Sequence, residues 1–344
     1  MSGVAAFGPG RVNLLGEHTD YNDGLCLPFA IANGVTVRAE PLDGGRVLAL
    51  ADDLGEDDEF AAADPPRGVE GWRAFVRGTI GELRAAGHAV EGVRLNFSGD
   101  VPRGAGLSSS AALSTALALA LLALGGEVEG DRRDLARLCS RVENDWVGAQ
   151  TGLLDQLSAL FGRAGHALRL DCRDLSIEEV RLDLKGWTLA VAPSGHEHTH
   201  AGSGYNQRRA ECRAACEALG IASLRDAPDD APDRLPEPLN RRVRHVLTEN
   251  GRVDAAVRAL RSGDLATLGE LIDASHASLR DDYEVSVDPV ERTVARLKDS
   301  GAAGARIVGG GFGGSVLALF APGARPPRDA TVVEPAGSAR LLDY

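Results

Sequence analysis

Along the chain, short runs of apolar and β-branched residues alternate with longer stretches whose apolar positions recur every three or four residues. The short runs at Val35–Arg38, Val47–Ala51, Val93–Phe97, Ala167–Leu170, Thr188–Ala192, Arg306–Val308 and Val316–Phe320 predict strands. Leu135, Cys139, Val142 and Trp146 fall on one face of a helix starting near Asp131. Val243, Val246, Val253, Val257 and Leu260 predict two further turns of apolar face, interrupted at Gly251. Leu265, Leu268, Leu271 and Ile272 predict another helix. Asp52–Gly71, acidic and carrying Pro65 and Pro66, reads as a solvated loop, and so does the proline-rich Asp226–Pro238. Glycine clusters sit at the joins. The pattern is mixed α+β rather than a regular βαβ series. At 344 residues the chain exceeds one hydrophobic core, so two domains are expected, 1–184 and 185–344.

Composition narrows the function classes. The net charge of −13 argues against a nucleic-acid binder, whose affinity rests on basic residues facing phosphates. It leaves a nucleotide site open, because such a site needs only local backbone donors and a metal ion. The longest apolar stretch, Ala111–Leu124, is about 14 residues, too short to span a bilayer. Met1–Gly10 lacks the basic and apolar regions of a secretory signal. Cys26, Cys139, Cys172, Cys212 and Cys216 are scattered, and no Cys-x-x-Cys pair occurs. They read as free thiols of a cytoplasmic protein, with no membrane partner. A monomer or weak homo-oligomer is expected.

The segment Val101 to Leu113 combines a strand-like run before it, Gly104 and Gly106, and then Ser108, Ser109 and Ser110 at the start of an alanine- and leucine-rich helix. Glycines let a backbone approach a ligand, and a helix start presents free N–H groups and a positive dipole end to an anion. A serine N-cap after a glycine turn would leave the same local pattern. Other phosphate-binding signatures are missing. Neither Lys185 nor Lys298 has the Gly-x4-Gly-Lys context of a P-loop, and His-Arg-Asp and Asp-Phe-Gly do not occur. Gly309–Gly314 satisfies Gly-x-Gly-x-x-Gly in form, but Ser315–Phe320 after it reads as a strand, not a helix. That run predicts a tight turn between two strands, close to a ligand.

Gly8–Gly24 is dense in polar groups, with Arg11, Glu17, His18 and Asp20 close together. Carboxylates and an imidazole suit the neighbouring hydroxyls of a sugar, although a solvated loop would look alike. With these segments in view, the chain resembles the galactokinases of the GHMP small-molecule kinase superfamily. The resemblance rests on Gly10–Asn22, Pro102–Ala111 and Gly304–Ser315, and it extends through Arg141–Asn144, Gly152–Gln156, Ser203–Arg209, Thr248–Asn250 and Ser275–Ser286 in the family's order.

The resemblance implies an N-terminal domain like ribosomal S5 domain 2 and a ferredoxin-like C-terminal domain, with the active site in the cleft between them. It implies phosphorylation of galactose at the C1 hydroxyl with ATP and Mg²⁺. Asp155 matches the catalytic aspartate, and Arg11 the arginine that stabilises the attacking oxygen and the transferring phosphoryl group. Glu17, His18, Asp20, Gly152 and Tyr205 match sugar contacts. Gly104, Ala105, Gly106, Leu107, Ser108, Ser109 and Ser110 match the phosphate cradle, and Ser110 and Glu143 the metal ligands.

Departures from the family bear on the sugar more than on the chemistry. Asp23 stands where glycine is common, Val287–Glu291 replaces a proline–glutamate–leucine pattern, and His196, His198 and His200 alternate where one histidine is usual. Three histidines on one strand face would also suit a transition metal. N-acetylgalactosamine, galacturonate or arabinose are alternative substrates. A silent sugar sensor on the same fold is the competing class, against which the joint presence of Arg11, Ser110, Glu143 and Asp155 counts.

Overall fold

The computed structural model describes residues 3–102, 106–127, 130–196 and 201–343. In chain order the elements are β1 (Val4–Asn13), β2 (Leu25–Cys26), β3 (Pro28–Pro41), β4 (Arg46–Ala51), β5 (Glu56–Ala61), α1 (Trp72–Ala85), β6 (Val93–Gly99), α2 (Ser109–Leu124), α3 (Arg132–Arg141) and α4 (Leu154–Phe161). There follow β7 (His166–Asp171), β8 (Ser176–Arg181), β9 (Thr188–Pro193), α5 (Ala201–Leu219), α6 (Leu239–Ser262), α7 (Leu265–Asp281), α8 (Asp288–Asp299), β10 (Ala302–Ile307), β11 (Ser315–Phe320), β12 (Thr331–Val332) and β13 (Arg340–Leu342). The strands expected from the sequence lie within these, except that Arg306–Val308 runs one residue past the end of β10 at Ile307.

Two sheets carry the architecture. The first runs β13-β1-β3-β6-β4-β5, with β4 and β6 parallel and the other pairs antiparallel. Helices α1 to α4 share a core with it, around Val37, Leu95, Ile80, Leu117 and Leu157. The second runs β10-β11-β9-β12. Its strands show the period of two directly. Leu189 and Val191 of β9 and Leu317 and Leu319 of β11 face a core shared with α6 and α7 and with Val12, Leu14 and Leu27 from the first sheet's side. Ala190, Ala192, Val316, Ala318 and Phe320 face the opposite core, with α5 and α8. Covered on both faces, β11 is buried along its whole length, which is why it reads as an unbroken apolar run.

Three expectations are corrected. Asp52–Gly71 is not all loop, because β5 pairs with β4 inside it as the sheet edge. Its acidic residues belong to an edge strand, where charge blunts further pairing. One of them, Asp58, turns inward to Arg77 at 2.7 Å. The apolar stripe expected to be interrupted at Gly251 is one uninterrupted helix, α6, in which Gly251 is exposed and an added Cβ would meet nothing. A glycine there costs about 1 kcal/mol against alanine, less than the buried face of Val243, Val246, Val253 and Val257 supplies. The helix from Asp131 does not continue regularly to Trp146. It changes at Val142 into a π-helical turn, Val142–Val147. The wider turn seats Trp146 against Gly78 and Gly81 of α1, where any side chain would strike the indole.

Candidate active site

β1 is the first element of the site. Its pairing with β3 slips between Pro9 and Arg11, a bulge that re-aims the arginine. The Arg11 N–H donates to the Leu107 carbonyl at 3.0 Å, tying the strand to the loop before α2. The Arg11 side chain donates from Nε to Asp155 Oδ1 at 2.7 Å and from Nη1 to the Gly106 carbonyl at 2.6 Å. Burial works against its charge. The carboxylates of Asp155, Glu17 and Glu143 outweigh burial, so its pKa lies above the ordinary arginine value. Asp155 sits in the first turn of α4, where the helix dipole favours a carboxylate.

After β1 the chain makes a tight loop whose polar groups are nearly all satisfied. Thr19 donates to the carbonyls of Gly16 and Leu25 at 2.9 and 2.8 Å. Helix α6 reaches in from the far side: Glu249 accepts from the Gly16 N–H at 2.8 Å, and Asn250 from the Leu25 N–H at 2.8 Å. The Glu17 carboxylate is held by Arg306 of β10 at 2.6 Å, by the Gly309 N–H at 2.8 Å and by Asn13 at 3.2 Å. His18 and Asp23 both adopt left-handed backbone, with φ of 62° and 53°. Aspartate tolerates that region better than most side chains, which accounts physically for Asp23 at a position suited to glycine.

The residues matched to sugar contacts come together. Arg11, Glu17, His18, Asp20, Gly152, Asp155 and Tyr205 line one cavity of about 220 Å³ with Thr151, Gly309 and Gly310. A Cβ at Gly152 would collide with the Asp20 carboxylate, so glycine is what lets Asp20 approach. The Asp20 pKa is pushed up to about 7 by burial and then by Asp155 and Glu17. His18 is pushed down to about 3 by burial and then by His245 and Arg208, so its ring is neutral at neutral pH.

A second cavity, of about 240 Å³, shares Arg11, Asp155, Gly309 and Gly310 with the first and is otherwise lined by Pro102, Gly106, Leu107, Ser108, Ser109 and Ser110. Ser108 precedes α2 with φ 62°, and its buried hydroxyl makes no hydrogen bond among the described residues. Gly104 and Ala105 lie outside the described residues. Gly309 packs against Gly106 and Gly310 against Tyr205, so the glycine run is a tight connection between β10 and β11 at the wall of both cavities. Beyond Ser109 and Ser110 a third, apolar cavity of about 350 Å³ opens between Trp72, Phe75, Phe97 and Leu113.

Glu143, on the π-helical turn, is buried under Ser110. It accepts from Ser110 at 3.0 Å, Thr151 at 3.0 Å and Gln156 at 2.8 Å. Burial, then Asp155, raises its pKa against those three donors. Among the described residues no group of three or more His, Cys, Asp and Glu side chains is arranged to hold a metal. His196 is exposed, and His198 and His200 lie outside the described residues. Cys212 is buried near Tyr283 and Asn22, and Cys216 is half-buried one turn on. No helix among the described residues is long and apolar enough to cross a membrane.

Sequence reading missed the supports of this site. Glu249 and Asn250 were visible only as part of a family-like triplet, and Arg306 only as one letter of the glycine-rich motif. Trp72 and Phe75 carry no signal beyond their aromatic character.

Residues 74–163 match the GHMP kinases N terminal domain, 256–335 the GHMP kinases C terminal domain, and 2–41 the galactokinase galactose-binding signature. The galactokinase of Roseiflexus sp. is 45% identical over 322 residues, covering 90% of this chain and 82% of its own. That of Streptomyces coelicolor is 42% identical over 364 residues, covering 97% and 93%. The crystal structure of Lactococcus lactis galactokinase complexed with galactose superposes with a TM-score of 0.92 at 32% identity, covering 99% of this chain and 95% of that one.

Proposed function

The chain belongs to the galactokinases, with the two-domain GHMP kinase fold, and we propose that it transfers the γ-phosphoryl group of ATP to the C1 hydroxyl of galactose, giving galactose 1-phosphate and ADP. The observation that carries this reading is the shared wall of the first two cavities. Arg11 and Asp155, ion-paired at 2.7 Å, border both the pocket of sugar-type polar groups and the pocket at the α2 N-terminus. A hydroxyl in the first and a phosphoryl group in the second would meet at that pair.

Each side chain then has a physical task. Glu17, His18, Asp20, Gly152 and Tyr205 bind and orient the sugar. Asp155 accepts the proton of the attacking hydroxyl or aligns its lone pair. Arg11 balances charge on the oxygen and on the phosphoryl group in transit. The Ser108 hydroxyl, the backbone of Gly106 to Ser110 and the dipole of α2 cradle the phosphates. The apolar cavity at Trp72 and Phe75 offers an aromatic surface for the adenine ring, contiguous with Ser109 and Ser110. Phosphoryl transfer asks mainly for such positioning and charge stabilisation.

The residues present fit a magnesium ion. A buried carboxylate, Glu143, faces a serine hydroxyl at the phosphate pocket, and both are hard oxygen donors. Ser110 and Glu143 would hold the ion, which when bound neutralises phosphate charge. We place the domain boundary near residue 184, between β8 and β9, with β13 returning to the first sheet. The five free thiols support a cytoplasmic setting.

The test is Asp155→Asn assayed by coupled ADP release with galactose and ATP. Turnover is expected to fall by about 10²–10⁴-fold, the usual share of a general base, while galactose still binds. Wild-type turnover of galactose at background rate, or full activity in Asp155→Asn, would overturn the reading.

A further inference from the structure

His18 enters the sugar cavity with one ring nitrogen uncommitted: Nε2 is buried and makes no hydrogen bond among the described residues. The other nitrogen is engaged. His18 Nδ1 lies 2.9 Å from the Tyr21 hydroxyl, which lies 3.0 Å from the Tyr283 hydroxyl, which lies 3.0 Å from Cys212 Sγ. Asn22 closes the far end, its amide donating to the His18 carbonyl at 2.9 Å and to Cys212 Sγ at 3.6 Å. The chain crosses the molecule from the loop after β1, through the segment following α7, to α5.

Each hydroxyl and the thiol has a single proton, and all three contacts are made with no hydroxyl proton left over only when the protons along the chain point the same way. Two senses exist. In one, the Cys212 thiol donates to Tyr283, Tyr283 to Tyr21, and Tyr21 to His18 Nδ1. In the other, every donor is reversed and Nδ1 carries the proton. An imidazole nitrogen is a far better acceptor than a phenol oxygen, and a phenol is a better donor than a neutral imidazole. The first sense uses both advantages. It also agrees with the amide nitrogen of Asn22, which supplies a proton to Cys212 Sγ at the far end. Burial keeps the Tyr21 hydroxyl protonated well above its ordinary range.

We infer that Tyr21, oriented by Tyr283, holds His18 as the Nε2–H tautomer, so that His18 presents a hydrogen-bond donor to the bound sugar. Tyr21 and Tyr283 are thus positioning residues for substrate recognition. The inference rests on the reading of this cavity as the galactose site. Its chemical sense is complementarity. Glu17 and Asp20 line the cavity as carboxyl groups, and a sugar hydroxyl that gives its proton to a carboxylate keeps its lone pairs for His18. The reversed tautomer would leave the imidazole as one more acceptor facing the polyol.

The test is long-range ¹H–¹⁵N correlation on the full chain labelled at the imidazole nitrogens, at neutral pH, with His18 assigned by its loss in His18→Gln. Nε2 protonated and Nδ1 bare in the wild type is the expected result, and Nδ1 protonated would overturn the inference. Tyr21→Phe is expected to give a mixture of tautomers. It should also raise KM for galactose about tenfold, the loss of one hydrogen bond, with kcat changed less than about twofold. Tyr283→Phe should move both readouts the same way by less. An unchanged tautomer and unchanged KM in Tyr21→Phe would also overturn it. If Tyr21→Phe does not fold, the wild-type spectrum still decides the tautomer. Failure of the wild type to phosphorylate galactose would sink the functional reading and leave the tautomer result standing.

Discussion

Arg306→Met tests whether the sugar loop is held from behind by one buried cation. Arg306 is fully buried on β10, and its guanidinium donates to Glu17 Oε1 at 2.6 Å and to the Asn13 carbonyl at 2.8 Å. Glu17 is itself buried. Its remaining donors are neutral, the Gly309 N–H and Asn13. The neighbouring carboxylate Glu249 has its own arginine, Arg252, at 2.6 Å, and lies 4.0 Å from Arg306. Removing Arg306 therefore strands mainly Glu17. Deleting one partner of a buried pair costs about 3–5 kcal/mol, because the other charge is left uncompensated. That corresponds to an apparent Tm lower by roughly 4–7 °C in a chain of this size. Because Glu17 lines the sugar cavity, galactose affinity measured by calorimetry should fall too. A Glu17→Gln change in the same chain removes the stranded charge, so the double variant should recover part of the Tm. The cycle isolates a coupling of about 1–3 kcal/mol. A Tm within 2 °C of wild type with unchanged galactose affinity, by calorimetry and differential scanning fluorimetry, would refute the argument that Arg306 holds this loop.

Asp20 carries a pH signature. Its folded pKa is raised to about 7, so the folded state binds a proton that the unfolded chain releases near 4. Its contribution to stability is present below pH 4 and is lost as pH rises through about 7. Asp20→Asn should therefore gain stability relative to wild type as pH climbs from 4 to 7, and parallel Tm-versus-pH curves would contradict the assignment. Glu143→Gln weakens a hard-oxygen donor pair, and the Mg²⁺ concentration for half-maximal turnover is expected to rise about tenfold or more with galactose KM little changed; an unchanged Mg²⁺ titration would remove Glu143 from the metal site. Trp72→Ala strips an aromatic wall from the apolar cavity. With base stacking worth about 1–3 kcal/mol, KM for ATP should rise at least fivefold while KM for galactose stays put, and equal effects on both would mean general destabilisation instead.

Sequence alone settles the elements whose signal is local. A period of two in β9 and an unbroken apolar run in β11 mark strands, and recurrence every three or four residues marks α6 and α7. It also determined the kinds of chemistry present, because glycine turns, serines at a helix start and a cluster of carboxylates with an arginine are legible as residue types. Which of them meet follows from the packed fold. Arg11 and Asp155 stand 144 positions apart, Arg306 and Glu17 289 apart, and Tyr21 and Tyr283 262 apart. No periodicity links such pairs, since their approach follows from sheet order, from the bulge that turns Arg11, and from β10 lying beside the loop after β1. Local rules also failed where packing overrode them. Gly251 stayed helical because the buried face of α6 outweighs one exposed glycine, and α3 gives way to a π turn that seats Trp146 on α1. Hydrophobic pattern acts over a few residues at a time. A buried charge or hydroxyl is satisfied by whatever the fold brings to it, and only the completed packing says what that is.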